Sequence, residues 1–96
     1  MTAYVIGAIQ SVSNPAAFAE YQKLAFPTVA KHGGKVIVGG TKIEVADGSW
    51  SPVGMVVLEF ENLQKAKAWY NSSDYKPLVA RRTRSANSGV VFIDGG

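Results

Sequence analysis

The seven residues Gly54–Phe60 (GMVVLEF) constrain this chain more than any other stretch. They read as its strongest β-strand, and a strand sends alternate side chains to opposite faces. Val56, Leu58 and Phe60 make the greasier face, which should pack on helices. Met55, Val57 and Glu59 make the other. Two of those three are apolar, which is costly if that face meets water. A chain of 96 residues forms one domain around one core. Cover for Met55 and Val57 should therefore come from outside the chain, and a second copy is the simplest source.

The rest of the chain supplies the elements around that strand. Tyr4–Ile9 is short, apolar and β-rich. Asn14 then Pro15 marks a helix start, a side-chain cap followed by the residue best suited to the first helical position. Phe18, Tyr21, Leu24 and Ala25 follow at helical spacing. Pro27 predicts a kink, or a break before a short second helix through Lys31, because it lacks a backbone donor and restricts Phe26. Gly33 should cap the end in the left-handed conformation. Lys35–Val38 reads as a strand with a bulge or bend at Gly39-Gly40, and Lys42–Ala46 as an extended continuation before an Asp47-Gly48 turn. Asn62 should cap a helix over Leu63–Tyr70, with Leu63, Ala66 and Tyr70 on one face. A further helix should run past Pro77 to about Arg84. Asn87-Ser88-Gly89 reads as a turn before a last strand at Val90–Ile93. The order β-α-β-β-α-β is the ferredoxin-like split βαβ unit, an α+β fold with a four-stranded antiparallel sheet and helices on one face. Two such sheets packed face to face form a dimeric α/β barrel.

Composition excludes several function classes. With 47% apolar and 18% charged residues the chain is not intrinsically disordered. No cysteine means no disulfide scaffold, thiolate metal site or thiol chemistry, and one histidine cannot make a His-rich metal site. The carboxylates are scattered without ligand spacing, so no metal site is expected. Gly34–Gly39 has the outline of a phosphate loop, but Gly40 stands where lysine is required. A net charge of +3 is too small to argue for nucleic acid. An RNA-binding sheet would place aromatics where this one has Met55 and Val57. No apolar run is long enough to span a membrane, and Met1-Thr2-Ala3-Tyr4 lacks the basic start of a signal peptide. A cytoplasmic homodimer without nucleic-acid or membrane partners is the expectation.

Several stretches carry a family resemblance. Gly33-Gly34-Lys35, Val57-Leu58-Glu59-Phe60 and Ala68-Trp69-Tyr70-Asn71-Ser72 with Asp74-Tyr75, together with Glu20-Tyr21 and Pro27-Thr28, resemble the domain of unknown function 1330 family over nearly the whole chain. The resemblance implies a dimeric α/β barrel. That superfamily includes cofactor-free antibiotic-type monooxygenases, muconolactone isomerase and haem-binding peroxidase-like proteins. One departure stands out. The family pattern G-G-R-x-x-x-R-G-G meets Lys35 at its first arginine, Gly39 at its second and Thr41 at its last glycine. An anion anchor supplied by that second arginine is lost here or comes from elsewhere.

Candidate site residues follow from chemistry. His32 can act as a general base near neutral pH, or simply complement the helix dipole. Glu59, inside or at the rim of a barrel, is the best candidate for a buried acid; a structural ion pair is its rival. Trp50 lies in a Gly-Ser-Trp-Ser-Pro loop with no helix stripe to explain it, so it could line a pocket or pack across a dimer. Trp69 and the Tyr21 hydroxyl are further candidates for a ligand cavity, and Arg81 for an anionic group. On this reading His32 and Glu59 are catalytic, while Tyr21, Trp50, Trp69 and Arg81 bind ligand. The function expected is small-molecule binding by a homodimer, with proton transfer or oxygenation that needs no cofactor and no metal. A structural or stress-related dimer without enzymatic activity is the alternative.

Overall fold

The computed structural model describes residues 2–95. Four strands form one antiparallel sheet in the order β2-β3-β1-β4: β1 (Ala3–Val12), β2 (Lys35–Gly40), β3 (Gly54–Phe60) and β4 (Ala86–Asp94). α1 (Pro15–Lys31) connects β1 to β2. α2 (Leu63–Tyr70), a single 3₁₀ turn (Lys76–Leu78) and α3 (Val79–Ser85) connect β3 to β4. The Cα trace is only 16 Å across its shortest axis, the thickness of one sheet and one helical layer. The split βαβ order is as the sequence implies.

Both long helices begin where their caps predict. Asn14 accepts from the Ala17 amide at 3.1 Å, and Asn62 from the Lys65 amide at 2.8 Å. α1 ends in a Schellman motif. Gly33 has φ +81°, its amide bonds the Ala30 carbonyl at 3.0 Å, and the Gly34 amide bonds the Val29 carbonyl at 2.9 Å.

Five local readings need correction. α1 runs unbroken through Pro27. Pro27 and Lys23, whose carbonyl loses its partner, are both exposed, while Ala25, Thr28 and Val29 on either side are buried and hold the helix together. The core stripe is Tyr21, Ala25, Thr28 and Val29, and Leu24 turns toward solvent. Residues 42–46 form no strand but belong to a long loop to β3. The bulge lies at Ile37, between the pairs Val36↔Leu58 and Val38↔Val57, and not at the glycine pair. Finally, Asn87-Ser88-Gly89 is strand, because β1 extends to Val12 and pairs with it across its own irregularity between Ile9 and Ser11.

The core sits between the sheet and the helices. Val5, Leu58 and Phe60 pack from below against Ala25, Val29, Ala66, Trp69 and Tyr75. The opposite face is bare. Register places Val38, Val57, Ile6 and Val91 side by side across all four strands, with Met55 and Ala8 in one flanking row and Tyr4, Ile93 and Glu59 in the other. The bulge at Ile37 is what brings Val38 into that apolar row.

Gly34 sits where backbone meets core. A Cβ there would lie 2.6 Å from Phe60 Cζ and 2.9 Å from Val29 Cγ1, both buried. Gly34→Ala is expected to destabilise the protein by about 1–3 kcal/mol, by the cost of overpacking. Gly40→Ala, whose Cβ meets nothing within 4 Å, should change the urea midpoint little.

Candidate functional site

A cavity of about 630 Å³ lies between α1 and the sheet. Its walls are mostly apolar, with Val5, Ile9, Ala25, Val56 and Val90 among them. Polar groups also border it, and the most closely coupled are Tyr21, Tyr75 and Arg82.

Local structure explains how these three meet. Tyr75 follows a tight turn in which the Ser72 hydroxyl donates to the Trp69 carbonyl at 2.7 Å and accepts from the Tyr75 amide at 3.2 Å. Trp69 is itself locked. Its indole N–H donates to Thr28 Oγ1 at 2.9 Å, and the Thr28 hydroxyl donates to the Ala25 carbonyl at 2.6 Å. The Tyr75 ring then lies on Trp69, centroids 4.2 Å apart and planes 32° off parallel. Leu78 at the end of the 3₁₀ turn, and Val79, Arg82 and Ser85 on α3, turn inward while Arg81 and Arg84 stay exposed. The α3 terminus is tied to the entry of α1 by Ser13 and Asn14 amides donating to the Ser85 carbonyl at 2.9 and 3.2 Å.

Arg82 is only 7% exposed, and its Nη1 donates to Tyr75 Oη at 2.9 Å. The Tyr75 and Tyr21 hydroxyls lie 2.7 Å apart, and either can donate. When Tyr75 donates, the Tyr21 hydroxyl proton is left for a third group. Burial pushes the Tyr75 phenol pKa up, and Tyr21 adds to that while Arg82 opposes it. Burial works against the Arg82 charge, but Tyr75, Tyr70 and Tyr21 outweigh it and the guanidinium pKa rises. At neutral pH the site is thus a fixed cation backed onto the neutral Tyr75 phenol.

The structure brings together some of the residues singled out from sequence and separates others. Tyr21 and Trp69 border the cavity. Arg81 does not; one residue along the helix turns the chain about 100°, and Arg82 faces inward instead. Trp50 is 52% exposed on the β2–β3 loop and is not part of the cavity lining. His32 and Glu59 are not in it either. Glu59 faces the bare side of the sheet, opposite Tyr4 and Lys35 in register. His32 Nε2 lies 3.0 Å from Asp74 Oδ2, and Lys31 Nζ reaches the same oxygen at 3.1 Å. Hydrogen bonds from His32 and Lys31 hold the Asp74 carboxyl below the usual range. This cluster pins the end of α1 to the residue preceding Tyr75. Tyr75, Arg82 and Ser88 were missed as site residues. The signal for Arg82 was its i+4 spacing from Leu78, which puts it on the buried face of α3. Among the described residues no three His, Cys, Asp or Glu side chains converge as a metal site, and no helix is long and apolar enough to cross a membrane.

The family model for a domain of unknown function, DUF1330, matches residues 2–96. The chain belongs to this family. No curated protein matches it. Among solved structures, it resembles a protein of unknown function from Rhodopseudomonas palustris, with TM-score 0.79 and 15% identity over 99% of this chain and 82% of that one. A dimeric ferredoxin-like protein of unknown function from Jannaschia sp. CCS1 aligns with TM-score 0.76 and 8% identity over 98% and 99%. SnoaB, a cofactor-independent oxygenase from Streptomyces nogalater, aligns with TM-score 0.66 and 12% identity over 99% and 93%. At these identities the likeness is one of fold, and DUF1330 membership carries no activity by itself.

The raised Tyr75 pKa has a pH consequence. The folded state holds that proton more tightly than the unfolded state, so the contribution to stability is complete below the ordinary tyrosine value near 10 and is lost as pH rises above it. An alkaline absorbance titration is expected to show a late tyrosine that ionises only as the circular-dichroism signal collapses. Tyr75→Phe should remove that component.

Proposed function

We propose that this chain is a homodimeric small-molecule-binding domain whose ligand occupies the cavity between α1 and the sheet. The observation that carries the reading is a largely apolar space of about 630 Å³ bordered by a hydroxyl pair backed by a buried cation. A ligand site is typically concave and greasy, with a few placed polar groups. Phe18, Tyr21, Trp69 and Tyr75 border the space with rings, which favours a flat, unsaturated ligand.

The polar group suggests a reaction class. Arg82 donates to Tyr75, Tyr75 donates to Tyr21, and the Tyr21 hydroxyl donates to a ligand oxygen. Each bond polarises the next. Such a relay favours the anionic form of an enol or phenol, by the same logic as an oxyanion hole. That anion is the reactive form in proton transfer or oxygenation without a cofactor, and SnoaB, of the same fold, is an oxygenase of that kind. In this reading Tyr21 touches the ligand, while Tyr75, Arg82 and the His32–Asp74 pair position it. A cytoplasmic setting fits the cysteine-free composition.

The dimer rests on the apolar row Val38, Val57, Ile6 and Val91. Val91 and Val38 are 54% and 59% exposed, and a second copy across this face would cover them. The Jannaschia protein of the same fold is dimeric. Val57→Lys is expected to convert a dimer into a folded monomer by sedimentation velocity, because it buries a charge in that face. A wild-type monomer would remove the dimer from this reading.

Native mass spectrometry of freshly purified protein, followed by denaturation, tests the ligand. The expected result is a dimer that releases a small molecule on unfolding. Val90→Phe, which narrows the cavity, should release none while keeping the wild-type circular-dichroism spectrum. Retention of the same molecule by that variant would place it elsewhere.

A further inference from the structure

Among the described residues, two buried side-chain polar atoms remain without partners, and both belong to residues bordering the cavity. They are Arg82 Nε and Ser88 Oγ. Arg82 spends its Nη1 on Tyr75 and, among the described residues, has no carboxylate within ion-pair distance. Its side chain can only donate, and a serine hydroxyl can donate as well. Buried donors without partners are rare in folded proteins and costly enough to need an explanation. A buried cation with no counter-charge makes the same demand more strongly.

Building on the cavity reading above, we propose that the ligand of this protein carries a carboxylate, to which Arg82 Nε and Ser88 Oγ donate, on a flat apolar body that fills the rest of the space. The argument for a carboxylate is one of valence and shape. Its two planar oxygens match one edge of a guanidinium fork, and its single negative charge balances the single cation. A phosphate brings more charge and more acceptors than these donors satisfy. A neutral ligand leaves the guanidinium charge uncompensated. The two ends of the site then have different tasks: Arg82 Nε and Ser88 hold the acid group, and the Tyr21 hydroxyl meets a second oxygen. This places the anion anchor on α3 and β4. It is absent from β2, where Gly39 stands in the position of the family pattern's second arginine.

The test compares two probes of one shape with the full-length protein at neutral pH, by titration calorimetry. 2-Naphthoate carries the acid; 2-naphthalenemethanol does not. The naphthoate is expected to bind at least about tenfold more tightly, the worth of one charge-assisted bond. Arg82→Met should abolish that preference, so that the two probes bind alike. Ser88→Ala leaves the Arg82–Tyr75 bond untouched and should weaken naphthoate alone, by roughly threefold to tenfold; it decides the matter should Arg82→Met fail to fold. Equal binding of both probes to the wild type overturns the carboxylate assignment and leaves the cavity reading standing. Loss of both probes equally in Ser88→Ala overturns it too. If neither probe binds folded wild-type protein, both the assignment and the cavity reading fall.

Discussion

Burying the Arg82 guanidinium with no carboxylate among the described residues beside it requires that neutral oxygens hold it, and Tyr75 provides one at 2.9 Å. Much of the helical layer follows from that need. Tyr75 must arrive at one place in one orientation, so the chain approaches it through the Ser72 turn. It stacks on a tryptophan whose indole is fixed by Thr28. Asp74, next to it, is clamped by His32 and Lys31 from the end of α1. The α3 segment that carries Arg82 is tied back to the start of α1 through the Ser85 carbonyl. Three helical elements are thus held in mutual register by hydrogen bonds around one charge, and the space they leave over the sheet is the cavity.

The two faces of the sheet serve different ends, and β3 links them. Leu58 and Phe60 fill the core, while Val57 lies in the exposed row across the other side. A substitution on one face need not disturb the other, because alternate residues never share a surface. The bulge at Ile37 matters for the same reason. Without the extra residue, Ile37 would face Val57 and Val38 would turn to the helix side. With it, Val38 takes that place in the apolar row and the extra residue is Ile37.

Much of the architecture was legible because local signals agreed. The Asn14 and Asn62 caps, the Gly33 stop and the two-faced pattern of Gly54–Phe60 each stand in the structure as their chemistry predicts. Errors arose where distant contacts decided. Pro27 stays helical because neighbours on both sides are buried, and Asn87-Ser88-Gly89 is strand because β1 offers it a partner. Within the cavity, Tyr21 and Trp69 could be singled out from aromatic character and helical spacing. Arg82 could not be separated from Arg81 and Arg84 by charge alone. His32 drew attention as the only histidine, yet its partner Asp74 lies 42 positions away and neither borders the cavity.

What the sequence determined by itself is the order of elements, the caps and the two apolar faces of β3. All depend on side chains within a few positions of one another. Which arginine is buried, which phenols meet it and which residues beside the cavity keep an unpartnered donor were decided only by the tertiary structure. Tyr21 and Tyr75 are 54 residues apart and share one hydrogen bond. No local periodicity encodes such a meeting, because it depends on how α1 and the turn that follows α2 settle over a common sheet.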